Sequence, residues 1–323
     1  MTENKSNRKT VIAEKIFIHE VGPRDGLQVE KTIAPLEEKI RWIDSLMESG
    51  IDIIQLGSFV NPKKAPQMAD TDKLFEHYNS SGNKPRKVIL SGLALNEKGL
   101  ERALACNVDM ICMGVSASET HSRKNTGMSA SEALSRVIPM AKQAMASGKR
   151  IQVSVQSAFG CGFEGPVPPE KVIGIVREYI VAGIHNISLA DTAGHAHPLQ
   201  VEELYGAIRE MDQNVELACH FHNTYGLGLA NCYAALRAGV VYFESAFGGL
   251  GGCPFTKLPA GNVSTEDLVH SLQRMGFRRD IRLADLLNTA RQVGTFFNRD
   301  LPGFILKSGS IVDFKIDKSK EAL

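Results

Sequence analysis

The chain has no run of 18 or more apolar residues, so nothing in it reads as a bilayer-spanning helix. It has almost no net charge: 37 Lys and Arg stand against 36 Asp and Glu, a balance of +1. No basic stripe points to nucleic acid, and no polybasic segment points to an anionic membrane. There is no Cys-x-x-Cys among Cys106, Cys112, Cys161, Cys219, Cys232 and Cys253. Free thiols in a reducing compartment are the expectation. The first residues, Met1 to Lys9, are polar and lack the apolar stretch of a secretory signal. A disordered tail over 1–14 and a cytoplasmic location follow as expectations. A Gly-x-Gly-x-x-Gly phosphate fingerprint and a Gly-x-Ser-x-Gly nucleophile elbow are both missing.

What the chain has is a repeated pattern. Apolar strand-like runs begin near Ile16, Ile51, Lys87, Asp109, Arg150, His185, Val215 and Val240. Amphipathic stretches follow at 35–50, 66–78, 96–106, 129–147, 168–182, 198–211, 226–238 and 264–275. Gly50, Gly148, Gly183, Gly239 and Gly276 stand where helices should stop, and Ser264 stands where one should start. Eight strand-then-helix units with no proline-rich linker predict a closed (β/α)8 TIM barrel over 15–300, rather than an open sheet. A further helix, near 283–297, closes the barrel region, and 301–323 reads as a C-terminal tail.

A barrel places its working residues where strands end. Arg24 and Asp25 follow the first strand. Gln55 and Ser58 close the second. Glu119 and His121 follow the fourth, and Asp191 ends the sixth. His220 and His222 end the seventh, and a glycine-rich loop from Gly248 to Pro254 follows the eighth. Residues i and i+2 of a strand share a face, so both imidazoles can reach one ion. Packed histidines without a metal would show the same spacing. Asp25 adds a carboxylate, and a nearby amide such as Asn262 adds an oxygen. That donor set suits Mg²⁺, Mn²⁺ or another divalent ion acting as Lewis acid. Pro23-Arg24-Asp25-Gly26 is also an ordinary β-turn sequence. Arg24 could hold developing negative charge or pair with Glu20. Cys253 sits among glycines that permit close approach and loop closure, although most free cysteines are simply buried.

Glu20-Val-Gly-Pro-Arg-Asp-Gly-Leu-Gln28, Ser58-Phe-Val60, Pro66-Gln-Met68, His220-Phe-His-Asn-Thr-Tyr-Gly226 and Gly249-Leu-Gly-Gly-Cys-Pro254 together resemble the 3-hydroxy-3-methylglutaryl-CoA (HMG-CoA) lyase family. The resemblance runs from about Ile16 to Asn298. It implies a metal-dependent TIM barrel that cleaves a 3-hydroxyacyl-CoA, yielding acetyl-CoA and acetoacetate from the family substrate. It implies metal ligands at Asp25, His220, His222 and Asn262, with Arg24 as catalytic arginine and Cys253 as the loop cysteine of proton transfer. Asp25 or His220 would serve as base. Lys31 and Asn298 would lie near coenzyme A, and Gln55, Ser58, Gln152 and Asp191 near the acyl group, with Glu266 as a supporting acid. The expected partner is the acyl-CoA alone, in a homo-oligomer, most simply a dimer.

The chain departs from the family pattern at three places. Gln55 stands where the family usually has Glu, Gln152 where it has Arg, and Asn223 where it has Asp. The same chemistry on another tertiary 3-hydroxyacyl-CoA is therefore an open alternative. A condensing synthase and a catalytically silent barrel are the others.

Overall fold

In the computed structural model, residues 15–80, 87–252 and 261–311 are described. Eight parallel strands close on themselves in sequence order. They are β1 (Phe17–Glu20), β2 (Ile53–Ser58), β3 (Ile89–Leu93), β4 (Met110–Ser116), β5 (Arg150–Gln156), β6 (Asn186–Asp191), β7 (Glu216–Phe221) and β8 (Tyr242–Ser245). Phe17 to Glu20 pair in register with Tyr242 to Ser245, which closes the ring. The TIM barrel expected from the repeat is the fold observed.

The helices are α1 (Leu36–Ser49), α2 (Thr71–Asn79), α3 (Glu97–Ala105), α4 (Glu119–Thr126), α5 (Ala130–Ala146), α6 (Pro169–Val181), α7 (Pro198–Met211), α8 (Gly228–Arg237), α9 (Thr265–Arg274), α10 (Leu283–Phe296) and the short α11 (Phe304–Ser308). All five expected stop glycines take positive φ. Ser264 caps α9 by accepting from the Asp267 amide.

Two local readings needed correction. The stretch expected as one helix over 66–78 is a single turn at Pro66–Met68 followed by α2, because Thr71 turns back to bond Met68 and Ser58. The repeat predicts no helix between 106 and 129, where Glu119 and His121 lie. Ser118 caps a short helix there, accepting from the His121 amide at 3.1 Å. The part of the expected tail that is described carries α11, whose first amides are held by Asp267.

Outward-facing strand residues such as Ile18, Leu90, Val153, Leu189, Leu217 and Phe243 pack under the helices in one continuous core. Trp42 of α1 packs edge-on against Phe247 and Phe296, tying α10 to the barrel wall. The interior is different. Barrel interiors are usually filled by Val, Ile and Leu. Here a small apolar group, Ile53, Met110 and Cys112, lies beside buried His19, Ser91, Gln152, Ser188 and Glu244. That polar interior leaves room for a site.

Candidate active site

Arg24 and Asp25 leave β1 in a wide helical turn, not the β-turn their sequence permits. Val21 O accepts from the amides of Arg24, Asp25 and Gly26 at 3.1, 2.7 and 3.4 Å. Such wide turns recur at functional sites. The turn places Arg24 so that Nε donates to Gln55 Oε1 and Nη1 pairs with Asp25 Oδ1. Glu20 is not the partner of Arg24. It accepts from the amides of Gly22 and Phe247 and from Thr265 Oγ1, inside the wall.

β7 delivers His220 and His222 to the same spot. Their Nε2 atoms lie 3.1 Å apart. Each lies 3.9 Å from Asp25 Oδ2. His220 Nδ1 is 2.9 Å from Glu244 Oε2 on β8. A proton on Nδ1 turns the Nε2 lone pair toward His222. Two imidazole nitrogens and a carboxylate oxygen then converge on one spot. A cation answers that arrangement.

The titration directions follow from these contacts. Burial raises the Asp25 carboxyl, but Arg24, His220, His222 and Asn262 outweigh it and hold the group well below the usual carboxylate range. Burial lowers His220, yet Glu244 and Asp25 bring it above its ordinary value. His222 lacks the Glu244 contact and falls to about 4, through burial first and the His220 charge second, against the pull of Asp25.

Asn262 follows the glycine loop and forms an antiparallel bridge with His222. Its Nδ2 donates to Asp25 Oδ2 at 2.8 Å and to Leu250 O at 3.0 Å. Its Oδ1 is buried and has no partner among the described residues. An oxygen of this kind beside Asp25, His220 and His222, whose ligand atoms lie within 4.8 Å of one another, completes a donor set that fits a hard divalent ion.

A cavity of about 440 Å³ opens over these groups. Arg24, Asp25, Gln28, Gln55, Gln152, Ser188, His220, His222 and Glu244 all line it, with His121 and Asn125 from α4. Ser58 and Asp191 do not. Ser58 packs beneath α2, with its amide on Thr71 Oγ1. Asp191 accepts from the amides of His195 and Ala196, fixing the loop after β6, and burial pushes its carboxyl up to about 6. Glu266 likewise accepts from the Gly248 amide and Ser264 Oγ, anchoring the start of the glycine loop. Lys31 lines a neighbouring groove with Arg299 and Lys307, which shares Val29 and Gly252 with the main cavity. Asn298 lies at the end of α10 with φ 49°, in a cleft with Arg291 and Asp300. Cys253 lies outside the described residues.

The sequence reading missed Glu244 and His19. Both sit inside strand segments that look apolar, and the register of the closed barrel is what shows them facing inward.

A family model described as HMGL-like matches residues 15–293. The chain belongs to this family. Hydroxymethylglutaryl-CoA lyase of Bacillus subtilis is 37% identical over 289 residues, 90% of this chain and 95% of that protein. (R)-citramalyl-CoA lyase of Chloroflexus aurantiacus is 34% identical over 304 residues, 92% of this chain and 96% of that protein. Among solved structures, an HMG-CoA lyase of Acinetobacter baumannii in complex with coenzyme A and 3-methylmalate is 36% identical and superposes with a TM-score of 0.86, over 94% of this chain and 98% of that one. HMGL-like membership together with these lyase relatives makes the chain a carbon–carbon lyase.

Proposed function

We propose that the protein cleaves a tertiary 3-hydroxyacyl-CoA in a divalent-metal-dependent retro-Claisen reaction, converting HMG-CoA to acetyl-CoA and acetoacetate. The observation that carries this reading is the convergence of Asp25 Oδ2 and two imidazole Nε2 atoms beside Arg24, over an open cavity. Asp25, His220, His222 and Asn262 would hold the ion, Mg²⁺ or Mn²⁺. When bound, it supplies Lewis acidity that polarises oxygens of the acyl group.

The chain's own groups do the rest. Asp25 or His220 takes the proton from the C3 hydroxyl. A carbonyl forms at C3 as the C2–C3 bond breaks, and its electron pair becomes the thioester enolate. The Arg24 guanidinium, held by Gln55 and Asp25, stabilises the charge on the enolate oxygen. Cys253 returns a proton to C2 and releases acetyl-CoA. Gln55 and Gln152 bound the acyl group. Asp191 and Ser58 support that pocket from behind the wall. Lys31 and Lys307, in the groove they share with the Arg299–Glu30 pair and Asp300, would meet coenzyme A phosphates, with Asn298 beside it. We expect a homodimer in the cytoplasm; the five described cysteines, all free thiols, support a reducing compartment.

A second reading keeps the chemistry and changes the acyl group. The glutamines at 55 and 152 and the likeness to (R)-citramalyl-CoA lyase support it. Acetyl-CoA release is the test, from a panel of 3-hydroxyacyl-CoAs with Mg²⁺, Mn²⁺ and a chelator. Metal-dependent release from HMG-CoA is expected. Release only from other members of the panel favours the second reading, and no release from any member overturns both.

A further inference from the structure

Gln152 lines the cavity that opens over the Asp25, His220 and His222 cluster, and the way that side chain is held narrows what the acyl group can carry. Gln152 lies on β5 and is 3% exposed. Its Oε1 takes the Cys112 thiol at 4.0 Å. With the oxygen facing that thiol, the amide nitrogen Nε2 is left for another partner. That nitrogen is buried and has no hydrogen-bond partner among the described residues. A buried amide N–H without an acceptor is costly, and a substrate acceptor relieves that cost.

The charge around it decides which acceptor. The cations lining the cavity, beyond the ligand histidines and His121, are Arg24 and Lys64. Arg24 commits Nε and Nη1 to Gln55 and Asp25. Lys64 belongs to an exposed turn. The same cavity is lined by a carboxylate, Glu244, which accepts from Ser188 Oγ at 2.8 Å and lies 2.9 Å from His220 Nδ1. His19 adds no countercharge, since burial pushes its ring down to about 4. A substrate carboxylate seated at Gln152 would give up its hydration for neutral hydrogen bonds and face Glu244. A hydroxyl or carbonyl would meet neither penalty.

We propose that Gln152 is the specificity-determining residue of the acyl pocket, and that it selects a C3 branch ending in an uncharged hydrogen-bond acceptor over one ending in a carboxylate. This rests on the reaction proposed above and narrows its substrate class. HMG-CoA remains a substrate, used less efficiently than its neutral counterpart.

Three thioesters of matched size test it. They are HMG-CoA, the analogue whose terminal carboxylate is replaced by hydroxymethyl (3,5-dihydroxy-3-methylpentanoyl-CoA), and the analogue with a terminal ethyl group (3-hydroxy-3-methylhexanoyl-CoA). Each splits into acetyl-CoA and a methyl ketone carrying its branch. For the full-length protein with Mg²⁺, kcat/KM for the hydroxyl branch should exceed both others by about tenfold or more, the scale on which one hydrogen bond to a charged or polar group discriminates. Gln152→Arg should reverse the order in favour of HMG-CoA. Gln152→Leu should erase the preference for hydroxyl over alkyl. Circular dichroism and metal affinity confirm that each variant is folded and loaded. Preference for HMG-CoA in the unaltered protein, or an order that neither substitution moves, would overturn the assignment. Acetyl-CoA release from none of the three would instead overturn the reaction itself.

Discussion

Glu244 Oε2 lies 2.9 Å from His220 Nδ1, so an acid on the last strand sets which nitrogen of its neighbour's ring carries the proton. Ser188 Oγ donates to the other oxygen of the same carboxylate at 2.8 Å, which keeps the acid from rotating away. A histidine that binds metal through one nitrogen commonly has such a partner on the other.

Glu244→Gln should therefore weaken the metal site without removing a ligand. Affinity for Mn²⁺, read by titration calorimetry, should fall about 10- to 100-fold. Unchanged affinity would show that the His220 tautomer is held by something else.

Arg24→Gln should leave metal affinity largely intact and lower kcat by roughly 10²-fold or more, the scale for losing one oxyanion donor. If only KM rises, Arg24 binds substrate and transition state equally well.

Asn262→Ala removes the unpartnered Oδ1 and the Nδ2 bonds to Asp25 and Leu250. It should weaken Mn²⁺ binding, whereas Asn262→Asp should restore it by supplying a charged oxygen at the same place. Equal loss in both variants would make Asn262 a structural anchor only.

Cys253→Ala should slow turnover severely, and thiol alkylation should inactivate the enzyme unless an acyl-CoA is bound. Full activity after stoichiometric modification at Cys253 would remove it from proton transfer.

Stability should depend on pH through Glu20 and Glu266, the second of which lies close enough to raise the first. Burial is the main cause in each, pushing Glu20 up to about 8 and Glu266 to about 7. Both values exceed those of the unfolded chain, so the folded state binds more protons and stability falls as pH rises from about 4.5 towards 8. Tm measured across that window should decline, and Glu266→Gln should flatten the decline. A Tm that rises steadily through the window would contradict the assignment.

Strand ends were readable because barrels put polar residues there, and Asp25, His220, His222 and Asn262 do come together. The eight-unit repeat was readable because each strand is apolar on its outer face. Glu244 was not, because one acid between Phe243 and Ser245 carries no sign of which way it points until the register with His220 is known. Asp191 shows the opposite limit. A strand-end acid looks the same in sequence whether it meets a substrate or, as here, receives two backbone amides. The split at residues 66–78 was hidden because Thr71 competes for backbone groups only once β2 lies beside it.

The amide of Asn262 donates to Leu250 O at 3.1 Å, and its side chain repeats the bond at 3.0 Å. The two ends of the stretch between them, Leu250 and Asn262, are thus tied together beside the corner where Asp25, His220 and His222 converge. Chain added between such tied ends costs little, roughly 0.6 kcal/mol for each doubling in length. Insertions that leave Cys253 in place should therefore be tolerated in this segment while the corner keeps its shape.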